Sequence, residues 1–302
     1  MDLLRRLFAR AGDNPWLLLS LTALFWGGNV PAARLAVGEI SPMLIVGGRW
    51  AVASVLMVAF LPPHVRAEWK RLLQHWPYLL LMALSMTISN GLIFTAAAHT
   101  SGLNLAILQG VTPVVVLIGA SMVFHVPIGA LRFLGVLVSI GGVILVATHG
   151  QPTSLFGMTF NLGDLYQIIA SSLYAGYALG LRVRPQSSGW ALFSLIAFFS
   201  FLTSLPAMAW EAAIGATIWP TWKGLAALVY IAVFTSLLGQ VFFMRSVELV
   251  GPGRAAVFHN LTPVIGAMLS VLLLGEALAL HHVLALAMVL GGIYICERYG
   301  PR

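Results

Sequence analysis

The chain has 302 residues, of which 60% are apolar and only 8% charged, and its mean hydropathy is +0.95. Soluble domains carry roughly a quarter charged residues, so no soluble fold hides this much apolar surface and the chain reads as a polytopic membrane protein. The net charge of +7 then belongs to topology rather than to a nucleic-acid partner, and the single cysteine, Cys296, excludes an internal disulfide and a cysteine-based metal site.

A helix needs about 20 apolar residues to cross roughly 30 Å of hydrocarbon. Residues 1–14 are a basic N-terminal segment, and the first apolar run, 16–33, flows into Gly27, Asn29 and Pro31 without a small-residue cleavage site, so it is expected to be a retained span. Further spans are expected at 43–61, 77–98, 103–123, 130–148, 163–181, 190–210, 224–244, 254–274 and 281–297. Turn formers separate them, among them Ser41-Pro42, Leu61-Pro62-Pro63, Val126-Pro127, Trp219-Pro220 and Gly275-Glu276. The expected fold is all-α and integral to the membrane, with ten transmembrane helices.

Loop cations orient such a chain. With a cytoplasmic N-terminus, the inside set holds Arg5, Arg6, Arg10, Arg66, Lys70, Arg71, Arg132, Arg182, Arg184, Arg245, Arg254, Arg298 and Arg302, 13 of the 16 basic residues. Arg34 and Lys223 remain outside, and Arg49 falls within the second span. Both termini are therefore expected in the cytoplasm.

The second half overlies the first at an offset of 150, pairing Asn90 with Gln240, Gln109 with His259, Thr112-Pro113 with Thr262-Pro263 and Gly141-Gly142 with Gly291-Gly292. Upstream the register drifts, and Trp26 and Asn29 meet Tyr174 and Tyr177 at 148. The expected organisation is a cytoplasmic segment 1–14, a five-helix repeat 15–149, an outer linker 150–162, a second repeat 163–297 and a cytoplasmic tail 298–302. Five is odd, so the second repeat enters the membrane inverted, an arrangement that places a binding cavity near the midplane between halves.

Polar groups at membrane depth face the protein interior or water, or bind helices together. On helical geometry, Trp26 and Asn29 share a face, as do Thr87 and Asn90, Tyr174 and Tyr177, and Ser236 and Gln240. Gln109, His259 and Asn260 join them, giving a substrate-binding set of Trp26, Asn29, Thr87, Asn90, Gln109, Tyr174, Tyr177, Gln240, His259 and Asn260. Pro113 and Pro263 each remove a helical hydrogen bond and are expected to act as bends for gating, with the hydroxyls of Thr112 and Thr262 able to bond the backbone. Arg49 is a candidate either for a substrate carboxylate or for a structural role.

The segments Leu24-Phe25-Trp26-Gly27-Gly28-Asn29, Pro42 with Arg49, Thr112-Pro113, Gly253-Arg254-Ala255-Ala256, Leu261-Thr262-Pro263-Val264, Leu274-Gly275-Glu276 and the two Gly-Gly pairs carry a resemblance. Over nearly its full length the chain resembles the EamA-type permeases of the drug/metabolite transporter superfamily. It departs from the pattern at His125-Val126, where the second unit has Gly275-Glu276. The resemblance implies ten helices around a central cavity, a bacterial inner membrane, and export of small metabolites, with neutral and aromatic amino acids suggested by the aromatic amino-acid exporters of the same family.

Alternatives divide on what is present. A sugar-phosphate or nucleotide-sugar translocator would want deep Lys or Arg in both halves, whereas lysine occurs only at 70 and 223. No metalloprotease, nucleophile-elbow or phosphate-loop motif supports an enzyme. A non-transporting receptor or scaffold would not need mirrored polar positions. No cofactor and no metal are expected, since scattered histidines make no ligand set. The expected partners are a small-molecule substrate and the lipid bilayer, and the expected state is a monomer or weak homodimer.

Overall fold

The computed structural model describes residues 14–61, 63–125, 129–148, 150–151, 161–250 and 261–299, and among them every regular element is helical. Asn14 starts the first helix, its side chain accepting from the amides of Trp16 and Leu17. Helix α1 (Pro15–Gly27) steps at Gly28 into α2 (Asn29–Leu35). Pro31 has no N–H for the carbonyl of residue 27, which accounts for the step. After α3 (Pro42–Phe60), the short helices α4 (Pro63–Ala67) and α5 (Trp69–Leu72) occupy what reads in the sequence as a plain break, and α6 (Trp76–Ala96) follows.

The fourth apolar stretch is also interrupted. Helix α7 (Gly102–Gln109) stops, Gly110 and Val111 turn, and α8 (Thr112–Phe124) resumes with Pro113 in its first turn, where a missing N–H costs least. Next come α9 (Ala130–Ala147), α10 (Leu162–Gly180) and α11 (Gly189–Ala213), the last running through Pro206. Helix α12 (Trp222–Val229) leads into a nine-residue π-helical segment, Tyr230–Leu238, and then α13 (Gly239–Val250). The chain closes with α14 (Leu261–Leu274) and α15 (Leu280–Arg298).

Among the described residues six helical rods are long and apolar enough to cross a membrane: Pro15–Leu35, Pro42–Ala59, Val65–Ala96, Gly102–Phe124, Gly189–Ala213 and Trp222–Val247. Three shorter apolar helices, Ala130–Val146, Leu261–Leu274 and Leu280–Cys296, accompany them. Helix α10 has the length but is more polar, carrying Asp164, Gln167, Ser171 and Tyr174.

Lipid tails are as apolar as leucine, so these helices associate through close packing of small residues and polar contacts. The main pairings are α9 with α15, α10 with α6, α11 with α3, α13 with α1 and α14 with α7. Helix α11 also lies on α6, α10 on α8, α14 on α1, and the π segment on α3. Between α6 and α10, Ser85 and Ser89 donate to the carbonyls of Leu173 and Ala170 at 2.7 and 2.8 Å. Between α1 and α13, Thr22 donates to Gly239 O at 3.3 Å. Helices α9 and α15 meet at Gly135, Gly142 and Gly292, where Ser139 donates to Val289 O at 3.2 Å.

Polar clasps tie the helix ends. At one end Glu276 accepts from the amides of Gly102 and Leu103, both at 2.7 Å, Thr100 donates to Asp164 at 2.6 Å, and Thr221 N donates to Glu39 O at 2.9 Å. At the other, Ser188 N donates to Glu68 at 2.7 Å and Arg132 to Cys296 O at 3.3 Å.

A candidate substrate cavity

The breaks and the π segment gather around a buried hollow of about 100 Å³. Helices α1 and α2 contribute Trp26 and Asn29, α3 contributes Arg49 and Trp50, and α6 contributes Ser89 and Asn90. Gln109 and Thr112 flank the interruption between α7 and α8; Gln167, Ser171 and Tyr174 come from α10; Phe193 comes from α11. Thr235 and Ser236 of the π segment and Gln240 of α13 complete the polar and aromatic wall. Typical ligand pockets measure about 300–1,000 Å³, and this hollow lies below that range.

Arg49 is 5% exposed and, among the described residues, is the only charged side chain in that wall. Its Nε donates to Ser236 Oγ at 2.9 Å and its Nη1 to Asn90 Oδ1 at 2.7 Å. Both acceptors are themselves held. Ser236 donates to Ile231 O at 2.8 Å, and Asn90 Nδ2 donates to Met86 O at 2.7 Å. The guanidinium also lies over the rings of Trp50 and Phe94, 5.0 and 5.8 Å from their centroids, a favourable placement for a desolvated cation.

The π segment is locked to α1. Trp26 Nε1 donates to Thr235 O at 3.1 Å, Thr235 Oγ1 donates to Phe25 O at 3.2 Å, and Tyr230 reaches the same carbonyl at 3.3 Å. Such wide turns are rare and are frequently found at functional sites. Asn29 Oδ1 and Gln109 Oε1 are buried and, among the described residues, accept no hydrogen bond.

Of the substrate-binding set expected from sequence, Trp26, Asn29, Asn90, Gln109, Tyr174 and Gln240 line the cavity, together with Arg49. Thr87 and Tyr177 do not. Thr87 donates to Ser200 O at 3.1 Å and shares a hydrogen bond with Thr203 at 2.8 Å, because α11 covers that part of α6. Tyr177 lies buried behind Tyr174, with ring centroids 5.6 Å apart. His259 and Asn260 lie outside the described residues. The bend expected at Pro113 falls just ahead of it at Gly110 and Val111, whereas the residues leading into Pro263 are outside the described set. Among the described residues the Thr262 hydroxyl bonds no backbone group. Its neighbour Gly266 packs against Ala106 and Gly27, so that face of α14 is a helix contact.

Sequence reasoning passed over Trp50, Ser89, Phe193 and Thr235 as wall residues. Ser236, aligned with Gln240 by periodicity, emerges as an Arg49 partner. A larger hollow of about 560 Å³ lies against Leu24, Phe25, Tyr230, Phe234, Leu269 and Leu273. Its wall is almost wholly apolar and lacks the convergent polar groups that orient a metabolite.

The sequence model of the EamA-like transporter family matches residues 15–148 and 161–297. The chain is 24% identical over 291 residues to the uncharacterized transporter YyaM of Bacillus subtilis, covering 93% of this chain and 92% of that one. It is 24% identical over 276 residues to the uncharacterized inner membrane transporter YedA of Escherichia coli K12, covering 90% and 87%. A solved crystal structure superposes with a TM-score of 0.62 at 15% identity, covering 92% of this chain and 94% of the other.

Proposed function

Because the chain belongs to the EamA-like transporter family, we propose that it is a secondary transporter exporting neutral amino acids, aromatic ones included, and similar amphipathic metabolites. The observation that carries this reading is the cavity itself, where amides and hydroxyls surround one buried cation beside Trp26, Trp50, Tyr174 and Phe193. Uncharged amides and hydroxyls serve a zwitterion's two ends without stranding a second buried charge when the site empties. The aromatic wall favours apolar side chains and discriminates a methylene by only about 1–3 kcal/mol, so selectivity is broad.

Transport proceeds by alternating access between two inverted five-helix repeats. This is supported by the double family match and by helix pairings that exchange into one another when the halves are swapped: α6 with α10 becomes α13 with α1, and α8 with α10 becomes α14 with α1. The glycine step at Gly28, the turn at Gly110 and the π segment border the cavity and are natural pivots. Both termini lie in the cytoplasm, following the loop cations. The reading is tested by competition in liposomes containing only the purified protein, with phenylalanine, methionine, threonine and a sugar phosphate in parallel. The amino acids should compete; transport of the sugar phosphate alone would replace this assignment with a phosphorylated-sugar carrier.

A further inference from the structure

We infer that Arg49 is the receptor for a carboxylate and sets the charge rule of the cavity, so that every good substrate carries a carboxylate while an ammonium group is dispensable. This rests on the cavity being the transport site. The charge balance comes first. Among the described residues Arg49 is the one charged residue in the wall, and a guanidinium cannot lose its proton under physiological conditions. Buried charges are ordinarily paired, yet among the described residues no Asp or Glu bonds this one. Its hydrogen-bond partners, Ser236 Oγ and Asn90 Oδ1, are neutral. The empty cavity therefore keeps an uncompensated positive charge, and an entering anion removes that imbalance.

Geometry points the same way. Ser236 and Asn90 spend their own donors on Ile231 O and Met86 O, which turns their acceptor atoms toward Arg49 and fixes the guanidinium plane. Two bonds leave most of the five N–H donors of a guanidinium unused, on a group that borders the hollow. A fixed fork with spare donors suits the paired oxygens of a carboxylate. These two bonds also tie α3 to the π segment and to α6, and Arg49 makes no hydrogen bond to a backbone carbonyl among the described residues, so its remaining donors are available to a ligand.

The amino end of a substrate meets different chemistry. Among the described residues no carboxylate lines the cavity, and the groups left to receive an ammonium are neutral amides such as those of Asn29 and Gln109. An amide oxygen accepts from a hydroxyl or a water as well as from an ammonium, so these groups do not require the positive charge.

The test needs no variant at its first step. Labelled phenylalanine is taken up into liposomes holding the purified protein, against unlabelled 3-phenylpropionate, 2-phenylethylamine or phenylalaninamide. The carboxylate without an amine should compete within about tenfold of phenylalanine, and both amines lacking the carboxylate should be weaker by at least about 100-fold. Competition by 2-phenylethylamine equal to that of phenylalanine would overturn the inference. In a second step, Arg49→Gln should erase the difference between the two classes and Arg49→Lys should keep its direction with weaker binding; an unchanged rank order in Arg49→Gln would also overturn it. If labelled phenylalanine does not enter at all, the transport reading falls separately. The receptor is then read from the change in intrinsic tryptophan fluorescence on adding 3-phenylpropionate in detergent, taken as the difference between wild type and Arg49→Gln; an equal change with 2-phenylethylamine refutes it.

Discussion

Replacing Gly292 by alanine should destabilise the protein, whereas the same change at the adjacent Gly291 should stabilise it slightly. A Cβ at Gly292 would strike Ser139 Oγ and the Gly135 carbonyl oxygen and lie 2.7 Å from Ser139 N, while one at Gly291 would meet nothing within 4 Å. Both substitutions gain helix propensity of about 0.8–1 kcal/mol. At Gly292 two of the three obstructing atoms are backbone, so α9 and α15 must separate, and overpacking of this kind costs about 1–3 kcal/mol. Thermal unfolding of the two variants in one detergent reads the difference. With a shift of about 2–4 °C per kcal/mol for mid-sized chains, Gly292→Ala should melt roughly 5 °C below Gly291→Ala. Equal melting temperatures, or a higher one for Gly292→Ala, would refute the close crossing of these helices.

Glu276→Gln halves the anionic clasp on the amides of Gly102 and Leu103; hydrogen bonds to charged groups contribute about 1.5–3 kcal/mol, so the melting temperature should fall by several degrees, measured by the same assay. Gly28→Ala places a Cβ against the Tyr230 hydroxyl and 2.9 Å from Tyr230 Cζ, so it should lower stability, and adding Tyr230→Phe should recover much of the loss; no recovery would mean the strain lies elsewhere. Pro113→Ala restores an N–H next to the turn at Gly110 and Val111 and should slow flux more than it weakens substrate binding, as compared by counterflow and equilibrium binding.

Helix positions were legible because apolar runs of membrane length leave few alternatives. Half of the wall was legible too: Trp26 with Asn29 and the pairing of Asn90 with Gln240 follow from periodicity and repetition in the chain. What periodicity does not report is which neighbour covers a face. Thr87 and Asn90 share a side of α6, yet Thr87 meets α11 and Asn90 meets Arg49. The Glu276 clasp joins residues 174 apart in sequence, and the sequence suggests only a turn there. The π segment was illegible because Tyr-Ile-Ala-Val-Phe-Thr-Ser-Leu-Leu has the composition of any apolar helix; its extra residue per turn is held by contacts to Phe25 and Trp26 made elsewhere in the fold.

Counterflow of labelled phenylalanine into liposomes holding the purified protein, preloaded with unlabelled phenylalanine, bears most directly on the claim that metabolites pass through this cavity. Wild-type protein should give a transient accumulation of label, and Trp26→Ala should abolish it while the protein still melts cooperatively. Absence of accumulation with every amino acid, or flux unaltered by Trp26→Ala, would contradict the account.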